Sequence, residues 1–100
     1  MLIIREKFTA KPGQASKLAR LFKKVFSTDS RVRVMTDMIG DYNTVVMEMS
    51  VKNLAEYEEE MNRYKSGDMG PDIDAATKEE MSNYTEMYIT GGREIYEIVD

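Results

Sequence analysis

Over residues 2–10 (LIIREKFTA) apolar side chains alternate with charged ones, and at Lys11-Pro12-Gly13 the repeat changes from two to three-and-four. Leu2, Ile4 and Phe8 fall on one side of an extended segment, and Ile3, Arg5, Lys7 and Thr9 on the other. That pattern is a strand with one face more apolar than the other. Pro12 has no N–H for a ladder and Gly13 permits a tight reversal. From Gln14 onward, Ala15, Leu18, Leu21, Phe22, Val25 and Phe26 recur at helical spacing, with Lys17, Arg20, Lys23 and Lys24 on the opposite side. The chain therefore opens strand–turn–helix.

Two runs rich in β-branched residues follow, RVRVMTDMI (31–39) and NTVVMEMSV (43–51), separated by Gly40-Asp41-Tyr42. They predict an antiparallel hairpin. Asn53 and Glu56 have the spacing of a capping pair and open a second helix with the stripe Leu54, Tyr57, Met61 and Tyr64. SGDMGP (66–71) interrupts it, and Pro71 suits the first turn of a third helix carrying Ile73, Ala76, Glu80 or Met81, Tyr84, Met87 and Tyr88. Thr90-Gly91-Gly92 ends that helix, and REIYEIV (93–99) reads as a final strand. The order is β-α-β-β-α-β with the second helical segment split in two. It predicts an α+β, ferredoxin-like antiparallel sheet with helices on one face, as a single domain over residues 1–100.

Composition narrows the chemistry. The 100 residues include no cysteine, which removes disulfides and thiolate chemistry, and no histidine, which removes the commonest metal ligand and general base. A net charge of −4 speaks against a phosphate-backbone binder. No apolar run reaches the roughly 20 residues of a membrane span, and the N-terminus lacks the pattern of a signal peptide. The expectation is a cytoplasmic protein that binds neither nucleic acid nor membrane.

Helices cover only one face of such a sheet, and Leu2, Ile4 and Phe8 should meet them. Ile3, Arg5, Lys7, Met35, Ile39, Val46 and Glu48 then share the other face, which mixes apolar and charged groups. A solvated face is one reading. The other, preferred here, is a twofold homodimer with Ile3, Arg5, Val46 and Glu48 in the interface and charge pairs such as Arg5 with Glu48 setting its register.

REKFTAKPGQASKLARLF, GDYNTVVMEMSVKNLAEYEEEM and REIYEIV together resemble the dimeric α+β barrel superfamily, most of all its NIPSNAP-type and antibiotic-biosynthesis-monooxygenase-type members. The resemblance spans nearly the whole chain and rests on fold-bearing features. It implies two sheets facing each other across a homodimer, with a ligand pocket between sheet and helices in each subunit. Relatives include cofactor-independent oxygenases of aromatic polyketides, haem-degrading enzymes and proteins without assigned activity. Haem degradation needs a histidine ligand, and there is none; the tryptophan often found in oxygenase pockets is also missing.

Candidate site residues come from the apolar side of the elements. Glu6 is the one carboxylate on the Leu2–Ile4–Phe8 face, placed to act as a general base or a hydrogen-bond anchor, or else to pair with a Lys or Arg at the sheet's end. Tyr57, Tyr64, Tyr84 and Tyr88 lie on helical stripes, as core residues or as groups that orient a ligand. Tyr64 and Tyr84 flank the break between the helices and join Glu6 as catalytic candidates. Phe8, Thr36, Met47, Tyr57, Met61 and Tyr88 are the expected pocket lining. The nine methionines are gap-fillers or the lining of an adaptable apolar site. Arg93 is a surface ion-pair partner or the holder of an anionic ligand. EYEEE (56–60) and KEE (78–80) read as solvated helix faces, and DMGPDID lacks the spacing of a calcium loop, so no metal or other cofactor is expected. Two functions fit: a small monooxygenase-like enzyme working without metal or flavin on a planar organic substrate, or a non-catalytic ligand-binding or interaction dimer. A regulatory effector-binding module is weaker, since such modules usually accompany another domain.

Overall fold

The structure is a computed structural model that describes residues 1–67 and 73–100. Strands β1 (Leu2–Ala10), β2 (Val32–Thr36), β3 (Thr44–Val51) and β4 (Tyr88–Glu97) form one antiparallel sheet in the order β2-β3-β1-β4. Helix α1 (Ala15–Val25) links β1 to β2; α2 (Leu54–Lys65), α3 (Ala75–Ser82) and a 3₁₀ turn (Tyr84–Met87) lie between β3 and β4. This is the βαββαβ order expected, with the second helical segment in two pieces. Among the described residues, no helix is long and apolar enough to cross a membrane.

Burial alternates along β1 as its sequence does. Ile4, Phe8 and Ala10 are buried, while Arg5, Lys7 and Thr9 are exposed. Val45, Met49 and Val51 on β3 are buried too, as are Leu18, Leu21, Phe22 and Val25 of α1, and Leu18 and Phe22 pack with Phe8, Ala10 and Val45. Gly13 takes φ +81 at the entry to α1, a left-handed conformation that a side chain would strain. Asn53 caps α2 by accepting from the Glu56 N–H at 3.0 Å, and the Glu56 carboxylate reaches back to accept from the Lys52 N–H at 2.9 Å.

Three boundaries differ from the sequence expectation. The strand expected over 31–39 stops at Thr36, so Ile39 is not on the sheet; it sits in the loop 37–43 and is 96% exposed. Asp37 is the cause, because its carboxylate accepts from the Thr44 N–H at 3.0 Å and closes a longer loop, with Tyr42 and Asn43 in left-handed conformations. Helix α3 begins at Ala75, capped by Asp74, and ends at Ser82; the break residue Pro71 and the Asp68–Asp72 part of DMGPDID lie outside the described residues.

The third difference concerns the last strand. It starts at Tyr88, and Thr90-Gly91-Gly92 continue it rather than ending a helix. Gly91 lies opposite Phe8, and a Cβ there would come within 3.2 Å of the Phe8 ring. The glycine looks locally like a helix stop, but its role is to let an aromatic ring rest against the strand backbone. Ile95 pairs with Ile4 on the helix side, which leaves Tyr96, opposite Ile3, on the open side.

Candidate functional site

The strand register sets one polar row into an apolar floor. Glu6 on β1 stands opposite Met47 on β3 and Arg93 on β4, and Val34 on β2 extends the row. The rows on either side are almost wholly apolar: Val32, Met49, Ile4 and Ile95 at one end, and Thr36, Val45, Phe8 and Gly91 at the other. Arg93 Nε donates to Glu6 Oε1 at 2.5 Å, and its guanidinium carbon lies 5.7 Å from the centre of the Tyr57 ring. Burial works against the Arg93 charge, but the Glu6 carboxylate outweighs it and holds the guanidinium above its ordinary pKa.

Above this row is a cavity of about 350 Å³, within the roughly 300–1,000 Å³ of small-molecule sites. Its floor is Glu6, Phe8, Met47 and Arg93. Phe22 and Phe26, at the end of α1, form one wall; Met61, Tyr64 and Lys65 of α2, with Gly67 after it, form the second. Met81 and Ser82 of α3 and Tyr84 close the third side. The Phe8, Phe22 and Tyr84 rings meet at centroid distances of 5.2–6.4 Å, and Phe26 lies 5.6 Å from Tyr64. Such tilted and edge-on contacts make rigid walls.

Two hydroxyls in this region have no partner among the described residues. The Tyr57 and Tyr64 phenol oxygens are both buried and make no hydrogen bond. Leaving a buried hydroxyl unpaired costs about 1–3 kcal/mol, so each is a point where a bound molecule or ordered water gains an interaction. Burial also drives both phenols, and that of Tyr84, above the ordinary tyrosine range, so all three are neutral donors at physiological pH.

The cavity brings together Glu6, Phe8, Met47, Met61, Tyr64 and Tyr84 from the sequence candidates. Tyr57 lies beside it, packed on the Ile4, Met49 and Val51 cluster and under Arg93. Tyr88 backs the wall, 4.9 Å from Phe8 and 5.8 Å from Tyr84, and sits on β4 rather than a helix. Thr36 is elsewhere, exposed in a surface hollow with Ala15, Ser16 and Asp37, because β2 ends there and is the edge strand, two strands from Phe8 in the same row. Sequence reasoning placed Phe22 and Phe26 in the core without assigning them to a pocket, and gave Lys65 and Ser82 no role. The convergence of Arg93 on Glu6 is visible only once β1 and β4 are set in register.

The open face of the sheet carries Ile3, Arg5, Val46 and Glu48, as the alternation requires. Arg5 and Glu48 pair within one subunit, as register partners on neighbouring strands, with Arg5 Nε donating to Glu48 Oε2 at 2.9 Å. Arg33 donates to the other oxygen. Hydrogen bonds from Arg33, and then Arg5, hold the Glu48 carboxyl below its usual range despite its burial. The pair expected to set register between subunits is thus engaged inside one.

No family model matches the chain, and no curated protein matches it. Solved structures do. An uncharacterized NIPSNAP domain protein from Burkholderia xenovorans superposes with a TM-score of 0.73 at 12% identity, covering 99% of this chain and 95% of that one. A NIPSNAP family protein from Agrobacterium tumefaciens gives 0.72 at 11% identity over 100% and 95%. A candidate antibiotic biosynthesis monooxygenase from Chloroflexus aurantiacus gives 0.66 at 11% identity over 99% and 93%. Both groups named by the sequence resemblance therefore share this fold. At these identities the likeness extends to the fold and no further.

Proposed function

We propose that the chain forms a homodimer through its open sheet face, and that each subunit binds a small planar organic molecule between sheet and helices. The observation that carries the ligand reading is the aromatic and methionine-lined cavity, with the unpaired Tyr64 hydroxyl and the Glu6–Arg93 pair in its lining. An apolar cavity with few convergent polar groups is the general form of such a site. The dimer reading is supported by Ile3, Val46 and Tyr96 on a face that, among the described residues, no helix of the same chain covers. A native mass spectrum of the purified protein should give twice the 11.5 kDa chain mass. A spectrum of monomer alone would sink the dimer.

In the enzymatic version of this reading the chemistry is that of a cofactor-independent monooxygenase. Glu6 takes a proton from the substrate hydroxyl through its second oxygen, Oε2, and the Tyr64 and Tyr84 hydroxyls stabilise the oxyanion that results. Dioxygen then delivers one atom to the ring carbon and leaves the other as water, giving a quinone without an external reductant. A second reading, ligand binding without turnover, is favoured by one contact: Oε1 of Glu6 is already committed to Arg93 at 2.5 Å. Turnover separates the two: a phenol that binds and is not oxidised leaves the binding reading. With a turned-over phenol in hand, Glu6→Gln should lose about 10²-fold or more in kcat; a folded variant with unchanged kcat would rule out the proton role of Glu6.

A further inference from the structure

The Glu6–Arg93 pair leaves most of the guanidinium unused. Nε donates to Glu6, while among the described residues neither terminal nitrogen of Arg93 has a hydrogen-bond acceptor. Those nitrogens carry four of the five N–H groups of an arginine, in the planar fork that matches two oxygens of an anion. The side chain is half-exposed, so a ligand can reach it, yet it is held in place: it lies against the Tyr57 ring and lines the cavity. Glu6 fixes its orientation, as an outer carboxylate fixes a ligand-binding side chain.

Charge points the same way. Among the described lining residues there are two cations, Lys65 and Arg93, and one carboxylate, Glu6. In a protein whose net charge is −4, the described lining carries one positive charge more than negative. The lining tyrosines Tyr64 and Tyr84 add neutral hydroxyls that can donate to a ligand, and the Tyr64 oxygen is buried without a partner among the described residues. Walls of Phe8, Phe22 and Tyr84 suit a flat conjugated skeleton.

We infer that the ligand is a planar organic anion, a conjugated ring system bearing one oxyanionic group, held by the Arg93 fork and the Tyr64 hydroxyl. This rests on the reading of the cavity as a small-molecule site and adds the sign of the ligand's charge. Arg93 is then the residue that determines specificity for acids over their neutral counterparts. A charge-assisted contact of this kind strengthens binding roughly tenfold to 150-fold.

The test uses aromatic carboxylates of one to three fused rings, each paired with its carboxamide, which has the same shape without the charge. Calorimetric titration at pH 7 against the whole protein should show the best-fitting carboxylate binding at least about tenfold more tightly than its amide. Arg93→Gln should erase that preference, chiefly by weakening the carboxylate, whereas Arg93→Lys should keep part of it. Tyr64→Phe should weaken the carboxylate by about fivefold with no change in melting temperature beyond a few degrees. Equal binding of acid and amide to the wild type would overturn the anionic ligand and leave the cavity reading intact. A preference that survives Arg93→Gln would overturn the role of Arg93. Failure of every acid and every amide to bind would overturn the cavity reading itself.

Discussion

Replacing Phe22 with alanine is expected to cost about 3–5 kcal/mol of folding stability, as removal of a fully buried ring does. Phe22 is 1% exposed, sits on the inner face of α1, and touches both Phe8 and Tyr84. Its ring is a point at which helix, sheet and 3₁₀ turn meet. Domains of this size have about 5–15 kcal/mol in total, so the variant loses a large share and should melt roughly 12 °C or more below the wild type. The same ring forms a wall of the cavity, so truncation also enlarges the binding space. Phe22→Leu keeps most of the volume and should cost far less. Thermal denaturation of the two variants decides the matter: a shift of only a degree or two for Phe22→Ala would mean that α1 does not pack on the sheet as described.

The second large effect is at Arg31. Helix α2 buries none of its own side chains completely, yet it supplies Met61 and Tyr64 to the cavity. A guanidinium in the turn before β2 ties it to the body of the protein. Arg31 Nη1 donates to Glu56 at 2.8 Å, and Nη2 donates to Glu60 at 2.9 Å and to Asp29 at 2.8 Å. Arg31→Ala removes the cation shared by three carboxylates, of which Glu60 keeps Arg63 at 3.3 Å, and should cost about 2 kcal/mol. Faster amide exchange should concentrate in 54–65.

The pH dependence of this tie has a defined sign. The side-chain hydrogen bond from Arg31 lowers the Asp29 pKa against the opposing effect of burial; Glu56 is lowered first by the Lys52 N–H and then by Arg31. A carboxylate depressed in the folded state stabilises the protein above its unfolded pKa, and that contribution is lost as pH falls through the folded value. The gap in melting temperature between wild type and Arg31→Ala should therefore be full near pH 7 and narrow below about pH 4. A gap independent of pH would assign the Arg31 effect to packing of its stem rather than to its charge.

The period-two pattern of residues 2–10 already contained the two faces of the sheet, because alternation decides which side chains share a face before any partner strand is known. It placed Glu6 on the helix side and Arg5 on the other, and both stand there. The start of α2 was equally legible, since a capping pair is a local interaction within four residues. Thr90-Gly91-Gly92 was misread because the glycine is explained by Phe8, a residue at the far end of the chain. Glu6 was expected to pair with a Lys or Arg and Arg93 was expected as an ion-pair partner, but that they pair with each other depends on which residues of β1 and β4 stand opposite. Thr36 shares a face and a row with Phe8 of the cavity floor but stands two strands away, on the edge strand β2, and strand order is a coordinate that alternation does not supply.

Whether a small organic molecule binds in the space between sheet and helices is decided by a two-dimensional amide NMR titration with the tightest of the aromatic acids or amides. Shifts are predicted at Glu6, Met47, Met61, Tyr64, Met81, Tyr84 and Arg93, on strands and helices that converge around that cavity. Ile3, Arg5, Val46 and Glu48 on the open face should stay unmoved. Shifts confined to that open face, or to the exposed loop 37–43, would contradict this and put the binding site outside the fold's interior.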